Sequence, residues 1–520
     1  MNLFINTLAS ARARNFTSRD PSQAQRAILR YLLSQGTRTR FGKDHAFAEF
    51  ATLPFEKAYA EYQKNVPIRT YCEFWDIYFS KYFCNKGGVK SLNLENVTWP
   101  GKIPLFCETS GTTAPTKYIP FSKEMFVANK RAAFDLTSCY LARNGSSRLL
   151  AGKLLYMAGN TELSNLGSGV LSGDMSAITL NKRPFYLKPF IAPSPEISAL
   201  PWEEKLESMA RLLIGEGNIR GISGVPPWIL LLLKRCREIG GKSLPELLPN
   251  LELIIHGGTS MKPYRREYNE LFGTQSPHFL ELLPSSEAFM AFQLFGEDFM
   301  RFAPYYGVFF EFVPFEQLDE KGVPSSSAVA VPLEEVEIGK RYAVIISTCA
   351  GLWRYHIGDT IRFLSRSPLF IEFTGRDKFL DRFEEKVTQG EVEEAISTLN
   401  RIDGVEINEF MVGPDISERR HLWILAMGND SPLSPSELSL RVDNTLRSMN
   451  ADYATFRFQC RIQPPIVIPV CKDIIYNWSK EVRGKLGEQS KIPHIDPTLN
   501  GEMIKSLADY ADQRLPLRSA

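Results

Sequence analysis

The N-terminal part of the chain has a helical pattern of apolar residues. Four of these residues recur at the spacing of one helix face: Ala24, Ala27, Ile28 and Tyr31. Asp20 and Pro21 stand just before them. An aspartate followed by proline is typical of a helix N-cap and first turn. We therefore predict that a helix starts at this pair.

Farther along, short apolar runs alternate with a helical segment. Residues 117–120, 251–255, 308–313 and 342–348 have the composition of strands. Residues 227–238 predict a helix, with proline near its start and two glycines beyond its end. Another helix is expected at residues 391–399. Alternation of strands and helices predicts an α/β architecture.

A break at residues 374–378 contains glycine and charged residues and suggests a domain boundary nearby. We expect a large N-terminal domain at residues 1–380 and a smaller C-terminal α/β domain at residues 381–520. A chain of 520 residues is long enough for two such units.

The composition is that of an ordinary globular protein, with 44% hydrophobic and 23% charged residues. The net charge of +2 gives no electrostatic case for a nucleic-acid or membrane partner. The apolar run at residues 228–233 falls far short of the roughly 20 residues that a membrane span needs. Scattered cysteines without CxxC pairs favour reduced thiols and a cytoplasmic protein.

The first candidate for chemistry is the hydroxyl-rich turn at residues 109–113, followed by Lys117. Hydroxyls and backbone amides around a flexible glycine can bind phosphate oxygens, and a lysine can add positive charge. The segment lacks the spacing of a Walker A loop. A plain Ser/Thr-rich turn is the alternative. The glycines at 167, 169 and 173 miss the dinucleotide-binding spacing and predict a loop.

The second candidate is the segment Ser285, Ser286 and Glu287. A carboxylate behind two hydroxyls could hold a magnesium ion that bridges phosphates. The alternative is the start of a helix, with serine as the cap and glutamate in the first turn.

The third candidate is Asp359, which follows Gly358 in a predicted turn. Its carboxylate could accept hydrogen bonds from both hydroxyls of a ribose, and Arg376 could share that role. The alternative is a hairpin that carries an Arg–Asp pair on the surface.

The fourth candidate is the loop at residues 484–493, which has two glycines and carries Lys485 and Lys491. Such a loop suits a mobile element that delivers positive charge. The alternative is a solvated basic loop.

Together these segments resemble the Gretchen Hagen 3 family of acyl-acid amido synthetases, in its bacterial-type form. This family is related to the AMP-forming acyl-CoA synthetases and luciferases. The matching blocks, in order along most of the chain, are residues 39–45, 66–71, 99–102, 109–120, 256–258, 263–265, 286–287, 350–359, 374–376 and 485–493. The block at residues 350–359 is the closest match. Leu282 to Pro284 depart from the family, which often has an aromatic residue or asparagine there.

The resemblance implies an adenylate-forming fold, in which β-sheets flanked by helices are closed by a smaller mobile domain. It also implies ATP and Mg²⁺ and assigns roles to individual residues. The phosphate-binding loop would consist of Ser110, Gly111, Thr112 and Thr113. The turn beside the adenine would be Gly257 and Gly258.

In the same comparison, Ser286 and Glu287 resemble the Ser-Glu motif near the α-phosphate and magnesium. Asp359 and Arg376 resemble the ribose contacts. Lys386 resembles a lysine that the C-terminal domain places near the nucleotide, and Lys491 is a second candidate for that charge.

The implied activity is adenylation of a small carboxylic acid, aryl or indole in type, followed by transfer of the acyl group to an amino acid. Two alternatives stay open. An acyl-CoA synthetase would share the adenylation step but use a thiol acceptor. A non-catalytic nucleotide-binding scaffold would keep only ATP binding.

Overall fold

The computed structural model describes most of the 520 residues. The described ranges are 2–86, 88–109, 116–159, 161–319, 322–376, 379–380, 382–383, 385, 387–402, 404–428, 431–483, 492–498 and 500–514. Within them, no helix combines the length and apolar character needed to cross a bilayer.

Helices dominate the first hundred residues. These are α1 (Asn2–Ser18), α2 (Pro21–Gly36), α3 (Arg40–Asp44), α4 (Phe47–Phe50), α5 (Phe55–Asn65) and α6 (Tyr71–Phe74). The small hairpin of β1 (Phe83–Lys86) and β2 (Val89–Leu92) follows. Asp20 caps α2, because its carboxylate accepts hydrogen bonds from the amides of Ser22 at 2.9 Å and Gln23 at 3.2 Å. This confirms the helix start predicted from the sequence.

A small sheet follows, in the order β4-β3-β7-β6. Its strands are β3 (Leu105–Thr109), β4 (Lys117–Phe121), β6 (Ser164–Asn165) and β7 (Leu171–Gly173). Strands β3 and β4 form an antiparallel hairpin in which Thr109 pairs with Lys117. The long helix α7 (Lys123–Arg143) begins just after this hairpin.

The described residues also form one 11-stranded sheet, in the order β14-β15-β16-β17-β13-β12-β11-β10-β9-β5-β8. Five strands make its parallel half: β5 (Lys153–Tyr156), β8 (Ile191–Ala192), β9 (Ile219–Gly224), β10 (Leu253–Gly257) and β11 (His278–Pro284). Helices run between these strands: α8 (Met175–Asn181), α9 (Pro195–Ser198), α10 (Trp202–Gly215), α11 (Pro226–Gly240), α12 (Leu244–Leu247) and α13 (Arg265–Phe272).

The antiparallel half of this sheet continues from β11. Its strands are β12 (Phe289–Gln293), β13 (Met300–Phe302), β14 (Val308–Pro314), β15 (Arg341–Thr348), β16 (Tyr355–Phe363) and β17 (Phe370–Arg376). Strand β11 is therefore the seam between the parallel and antiparallel halves. The predicted strands at residues 308–313 and 342–348 lie in this half and are confirmed.

The C-terminal region is a separate layered unit. It begins with β18 (Phe379–Leu380) and β19 (Val387–Thr388) and contains a three-stranded sheet of β20 (Ile407–Asp415), β21 (Arg420–Met427) and β22 (Ile466–Cys471). Its helices are α14 (Gln389–Asn400), α15 (Pro435–Met449), α16 (Ala451–Phe458), α17 (Ile474–Glu481) and α18 (Glu502–Asp512). Its buried apolar residues form two clusters of their own, from Leu380 onward.

Helix α13 carries several of the polar contacts that join this unit to the large sheet. Arg266 donates hydrogen bonds to the carbonyl oxygens of Asn400, Ile402 and Val405 at 3.5, 3.3 and 3.2 Å. Just before this helix, Lys262 lies 3.2 Å from Glu394. The C-terminal unit therefore docks beside the segment that follows β10.

One expected break is wrong. Thr374, Gly375 and Arg376 continue strand β17 instead of leaving the sheet. Gly375 pairs with Thr360, and Arg376 pairs with Asp359 on the neighbouring strand. Gly375 has a φ of 108°, a backbone conformation that glycine tolerates without leaving the ladder.

Candidate active site

Gly257 and Gly258 form the sharp turn at the carboxyl end of β10. A β-carbon on Gly257 would lie 2.6 Å from the carbonyl oxygen of Leu282 on the adjacent strand. Gly258 has a φ of 84°, which side chains strongly disfavour. Glycine is therefore required at both positions, and the backbone stays uncovered at the edge where ligands of open α/β sheets bind.

Glu287 stands in a tight turn between β11 and β12. The hydroxyl of Ser285 accepts hydrogen bonds from the amides of Glu287 at 3.2 Å and Ala288 at 2.9 Å. The amide of Ser285 also donates to the carbonyl of Ala288 at 2.8 Å. The alternative of a helix start here is wrong, because these bonds close a strand-to-strand turn. Ser286 lies in the same turn, and the Glu287 side chain is buried.

Tyr355, the first residue of β16, faces Glu287. Its hydroxyl donates a hydrogen bond to Oε1 of Glu287 at 3.4 Å. Burial raises the pKa of Tyr355 well above its usual value, and the nearby charges of Glu287 and Asp359 raise it further. Tyr355 therefore stays protonated, with the Glu287 carboxylate at its hydroxyl and Asp359 four residues farther along β16.

Asp359 lies inside strand β16 and not in a turn as the sequence suggested. Its residue is 8% exposed, so the alternative of a surface ion pair is also wrong. Arg354, the basic residue of the same block, pairs with Glu311 instead. Arg376 is the register partner of Asp359 on β17.

Part of the β3–β4 hairpin, which belongs to the small four-stranded sheet, lies in the same region as Glu287. Burial raises the pKa of Cys107 on β3, and the charge of Glu287 raises it further. On β4, the ammonium group of Lys117 lies 5.4 Å from the ring centroid of Tyr71. The Tyr71 hydroxyl accepts a hydrogen bond from the amide of Tyr118 at 2.6 Å. Strand β3 thus passes near Glu287 at Cys107, and Lys117 at the start of β4 lies over the Tyr71 ring.

His356 lies beside Tyr355 in the strand, and its amide donates to the carbonyl of Arg69 at 2.9 Å. Burial lowers the pKa of His356 to about 4, and the positive charge of Lys117 contributes to the decrease. The imidazole is therefore neutral at physiological pH, next to the base of the hairpin.

Sequence reasoning missed three contributors to this site. Tyr355 belongs to the closest matching block, so its position beside Asp359 was a usable signal. Tyr71 belongs to the matching block at residues 66–71, but its contact with Tyr118, 47 positions away, arises only in the folded protein. His356 belongs to the closest matching block, but its low pKa comes first from burial and then from the charge of Lys117, and both arise only in the folded protein.

Several predicted residues lie outside the described residues: Ser110, Gly111, Thr112, Thr113, Lys386 and Lys491. For Arg376 only the backbone is described. Among the described residues, no three His, Cys, Asp or Glu side chains come together as a protein-built metal cage would need. One buried carboxylate such as Glu287 nevertheless suits Mg²⁺, which usually takes one or two protein carboxylates together with substrate phosphates.

Three family descriptions match the chain in order. They are the GH3 family N-terminal domain at residues 12–216, the GH3 family central domain at residues 302–376 and the GH3 family C-terminal domain at residues 369–498. The chain belongs to the GH3 family. The resemblance drawn from the motifs is thereby confirmed.

Curated relatives of this GH3 chain align over shorter stretches. Indole-3-acetic acid-amido synthetase GH3.4 of Arabidopsis thaliana is 35% identical over 98 residues, covering 18% of this chain and 16% of the relative. GH3.3 of the same plant is 30% identical over 199 residues, or 36% of this chain and 33% of the relative. Jasmonoyl–L-amino acid synthetase GH3.5 of Oryza sativa subsp. japonica is 24% identical over 261 residues, covering 48% of this chain and 40% of the relative. The matches thus span less than half of these relatives.

Solved structures share the fold over nearly the whole length. The GH3.15 acyl acid amido synthetase superimposes with a TM-score of 0.73 at 18% identity, covering 95% of this chain and 94% of that one. A 2-hydroxyisobutyryl-CoA ligase in the postadenylation state superimposes with a TM-score of 0.58 at 14% identity, covering 95% and 94%. The predicted α/β adenylate-forming fold is therefore confirmed.

Proposed function

We propose that this GH3 chain is an ATP-dependent ligase that joins a carboxylic acid to the amino group of an amino acid. The observation that carries the proposal is the hydrogen bond from Tyr355 to the buried Glu287, with Asp359 four residues farther along the same strand. The charge of Glu287 also reaches Cys107 of the β3–β4 hairpin. This arrangement offers one carboxylate toward the phosphates of a nucleotide and another toward its ribose.

The binding roles follow from position in the fold. We assign the adenine to the open turn at Gly257 and Gly258, and the ribose hydroxyls to Asp359 and Arg376. We assign the phosphates to Ser286 and to the hydroxyl-rich turn, whose four residues Ser110, Gly111, Thr112 and Thr113 follow strand β3 and precede β4 in the hairpin. Ligand sites of open α/β sheets form at this carboxyl edge.

The first step activates the acid. A carboxylate oxygen of the substrate attacks the α-phosphorus of ATP, a new P–O bond forms, and the bond to the β-phosphate oxygen breaks. Pyrophosphate leaves with the electron pair, and the acid becomes an acyl-adenylate. The protein contributes by aligning two anions and by placing charge where it develops.

Mg²⁺ bound by Glu287 and the phosphates would neutralise charge on the nucleotide. The Tyr355 hydroxyl orients the Glu287 carboxylate for that contact by donating a hydrogen bond to it. We assign Lys386 and Lys491 to the same anionic region, as the positive charges that the C-terminal unit supplies when it closes over the site.

In the second step, the neutral amine attacks the acyl carbonyl. A C–N bond forms, the C–O bond to the phosphate breaks, and AMP leaves with that electron pair. The ammonium that forms on nitrogen then loses a proton to solvent. Closure by the unit beyond residue 380 would exclude water, because an acyl-adenylate hydrolyses readily.

The names of the curated relatives support an amino acid as acceptor and an aryl or indole acid as donor, since they are called indole-3-acetic acid-amido and jasmonoyl–L-amino acid synthetases. All eight cysteines are free in the described part of the chain. Free thiols suit a reducing compartment, and we place the reaction in the cytoplasm.

The test measures acid-dependent release of pyrophosphate from ATP over a panel of aryl and indole acids. Each acid is assayed alone, with mixed amino acids, and with coenzyme A. We expect release with at least one acid and an amide product that appears only with amino acids. A thioester in place of the amide would favour an acyl-CoA synthetase. ATP binding without any release would favour a nucleotide-binding scaffold.

A further inference from the structure

Arg354 has an unusual backbone conformation just before the site strand β16. Among the residues that the structure describes, six that are not glycine have a positive φ, and Arg354 is the only buried one of them. Its φ is 43°. A long side chain rarely adopts this conformation, and surrounding contacts must hold it there.

Those contacts come from three separate segments. The Nε atom of Arg354 lies 2.9 Å from Oε2 of Glu311 on β14. Its Nη1 atom donates to the carbonyl oxygens of Gln63 and Val66, at the end of α5, at 3.1 and 2.7 Å. Its amide donates to the hydroxyl of Ser347 on β15 at 3.0 Å. The planar guanidinium holds the Glu311, Gln63 and Val66 acceptors in one fixed fork geometry, which the compact ammonium of a lysine does not reproduce.

The same residue sets where the site strand begins. The carbonyl of Arg354 accepts a hydrogen bond from the amide of Arg69 at 3.0 Å, and the amide of His356 donates to the carbonyl of Arg69 at 2.9 Å. Tyr355 is thus held on both sides by backbone bonds. Its hydroxyl reaches Glu287, so any shift at Arg354 changes the separation of these two groups.

We propose that the buried pair of Arg354 and Glu311 is a positioning device for the active site, which aligns Tyr355 with Glu287 through the strained start of β16. The inference rests on the proposed function, because it explains how that site is assembled. A purely structural role would stabilise the protein without any special effect on adenylation.

The C-terminal unit supplies a matched control. Arg457 lies 2.7 Å from Asp443, and its Nη1 atom donates to the carbonyl of Ile462 at 2.8 Å. This pair is also largely buried and also combines a carboxylate with a carbonyl acceptor. It lies far along the chain from the site, so its loss reports the structural contribution alone.

The experiment compares Arg354→Lys with Arg457→Lys by thermal unfolding and by acid-dependent pyrophosphate release from ATP. We expect Arg354→Lys to lower kcat by about 10- to 100-fold with KM for the acid nearly unchanged, because small misplacements are costly in catalysis. Arg457→Lys should lose comparable thermal stability while keeping kcat. Equal kcat in the two variants, at matched folded fraction, would overturn the proposal.

A second variant and a second readout guard against misfolding and against failure of the assay. Ser347→Ala removes only one hydroxyl and should give a smaller decrease of kcat in the same direction. Hydrogen–deuterium exchange compares residues 355–359 with residues 422–427 on β21. We expect faster exchange at 355–359 in Arg354→Lys only, even if the wild-type protein releases no pyrophosphate. Unchanged exchange there would contradict the positioning role.

Discussion

The active-site region and the C-terminal unit both bury carboxylates, but they surround them differently. In the C-terminal unit, Asp443 pairs with Arg457, and His494 lies between Glu393 and Glu409 at 3.0 and 3.2 Å. In the proposed site, the Glu287 carboxylate accepts a hydrogen bond from the neutral hydroxyl of Tyr355, and Asp359 lies farther along the same strand.

This difference suggests that the buried carboxylates of the C-terminal unit serve stability, whereas those of the proposed site serve activity. Buried acids that lie within hydrogen-bond distance of a cation hold a structure together once folded, and breaking such a pair is costly. A buried carboxylate that is hydrogen-bonded to a neutral hydroxyl instead suits a ligand that brings positive charge, such as a magnesium nucleotide. Substitutions in the two regions should therefore affect different measurements.

The largest effect is expected from Glu287→Gln. Loss of this charge should slow pyrophosphate release by about 100-fold or more, because preorganised charge dominates such steps. Glu281→Gln on β11, the strand before the turn that holds Glu287, is the control. Burial raises the pKa of Glu281, so a neutral amide should be tolerated there. Full activity of Glu287→Gln would remove this residue from the chemistry.

A smaller effect, on stability, is expected from His494→Gln. Burial alone would lower the pKa of His494, but its hydrogen bonds to Glu393 and Glu409 outweigh burial and raise the pKa to about 9. The stabilisation is fully present below the unfolded pKa of about 6.5 and is lost as pH rises through about 9. Chemical denaturation at pH 6 should show a loss of about 2 kcal/mol.

At pH 10 the difference between wild-type protein and His494→Gln should shrink. His278→Gln is the control, because burial lowers the pKa of His278 and reverses the sign of its pH dependence. A His494→Gln penalty that is the same at both pH values would show that the imidazole is not charged in the folded protein.

Asp359→Asn should weaken ATP binding. The carboxylate would lose charge-assisted hydrogen bonds to the ribose, and KM for ATP should rise by about tenfold. Stability should change little. Steady-state kinetics over a range of ATP concentrations tests this, with Asp415→Asn on β20 as control. An unchanged KM would move the ribose to another part of the site.

The smallest effect is expected at the junction between the two regions. Arg266→Lys should lose part of its contact with the three carbonyl oxygens that follow α14, at a cost of about 1 kcal/mol. Denaturant unfolding measures this loss. Arg235→Lys, whose partners Glu207 and Glu238 belong to the same region, should leave the junction intact. Equal results from both variants would mean that Arg266 does not join the two units.

The sequence was sufficient for elements whose pattern is local. The helix predicted at residues 227–238 is α11 (Pro226–Gly240), and the run at residues 251–255 overlaps β10 (Leu253–Gly257). Both have strong apolar patterns bounded by proline or glycine. The family resemblance was also confirmed. It rests on ten blocks that are local in the sequence and occur in order along the chain.

Features that depend on distant partners could not be predicted in this way. Serine is common at helix N-caps, so Ser285 suggested a helix start. The chain instead reverses direction here, because β11 pairs with β12 in the antiparallel orientation. Asp359 follows a glycine, which suggests a turn, but its pairing with Arg376 on β17 keeps it in a strand. Tertiary contacts overrode the local preference at both positions.

The seam at β11 also bears on how members of this architecture diversify. On one side, each added parallel strand requires a helical crossover, whereas on the other side a strand can be added by a short hairpin. Insertions can therefore enlarge the parallel side and the antiparallel side independently. The residues at the seam keep a fixed frame, so the two sides can change in length while the proposed nucleotide site stays in place.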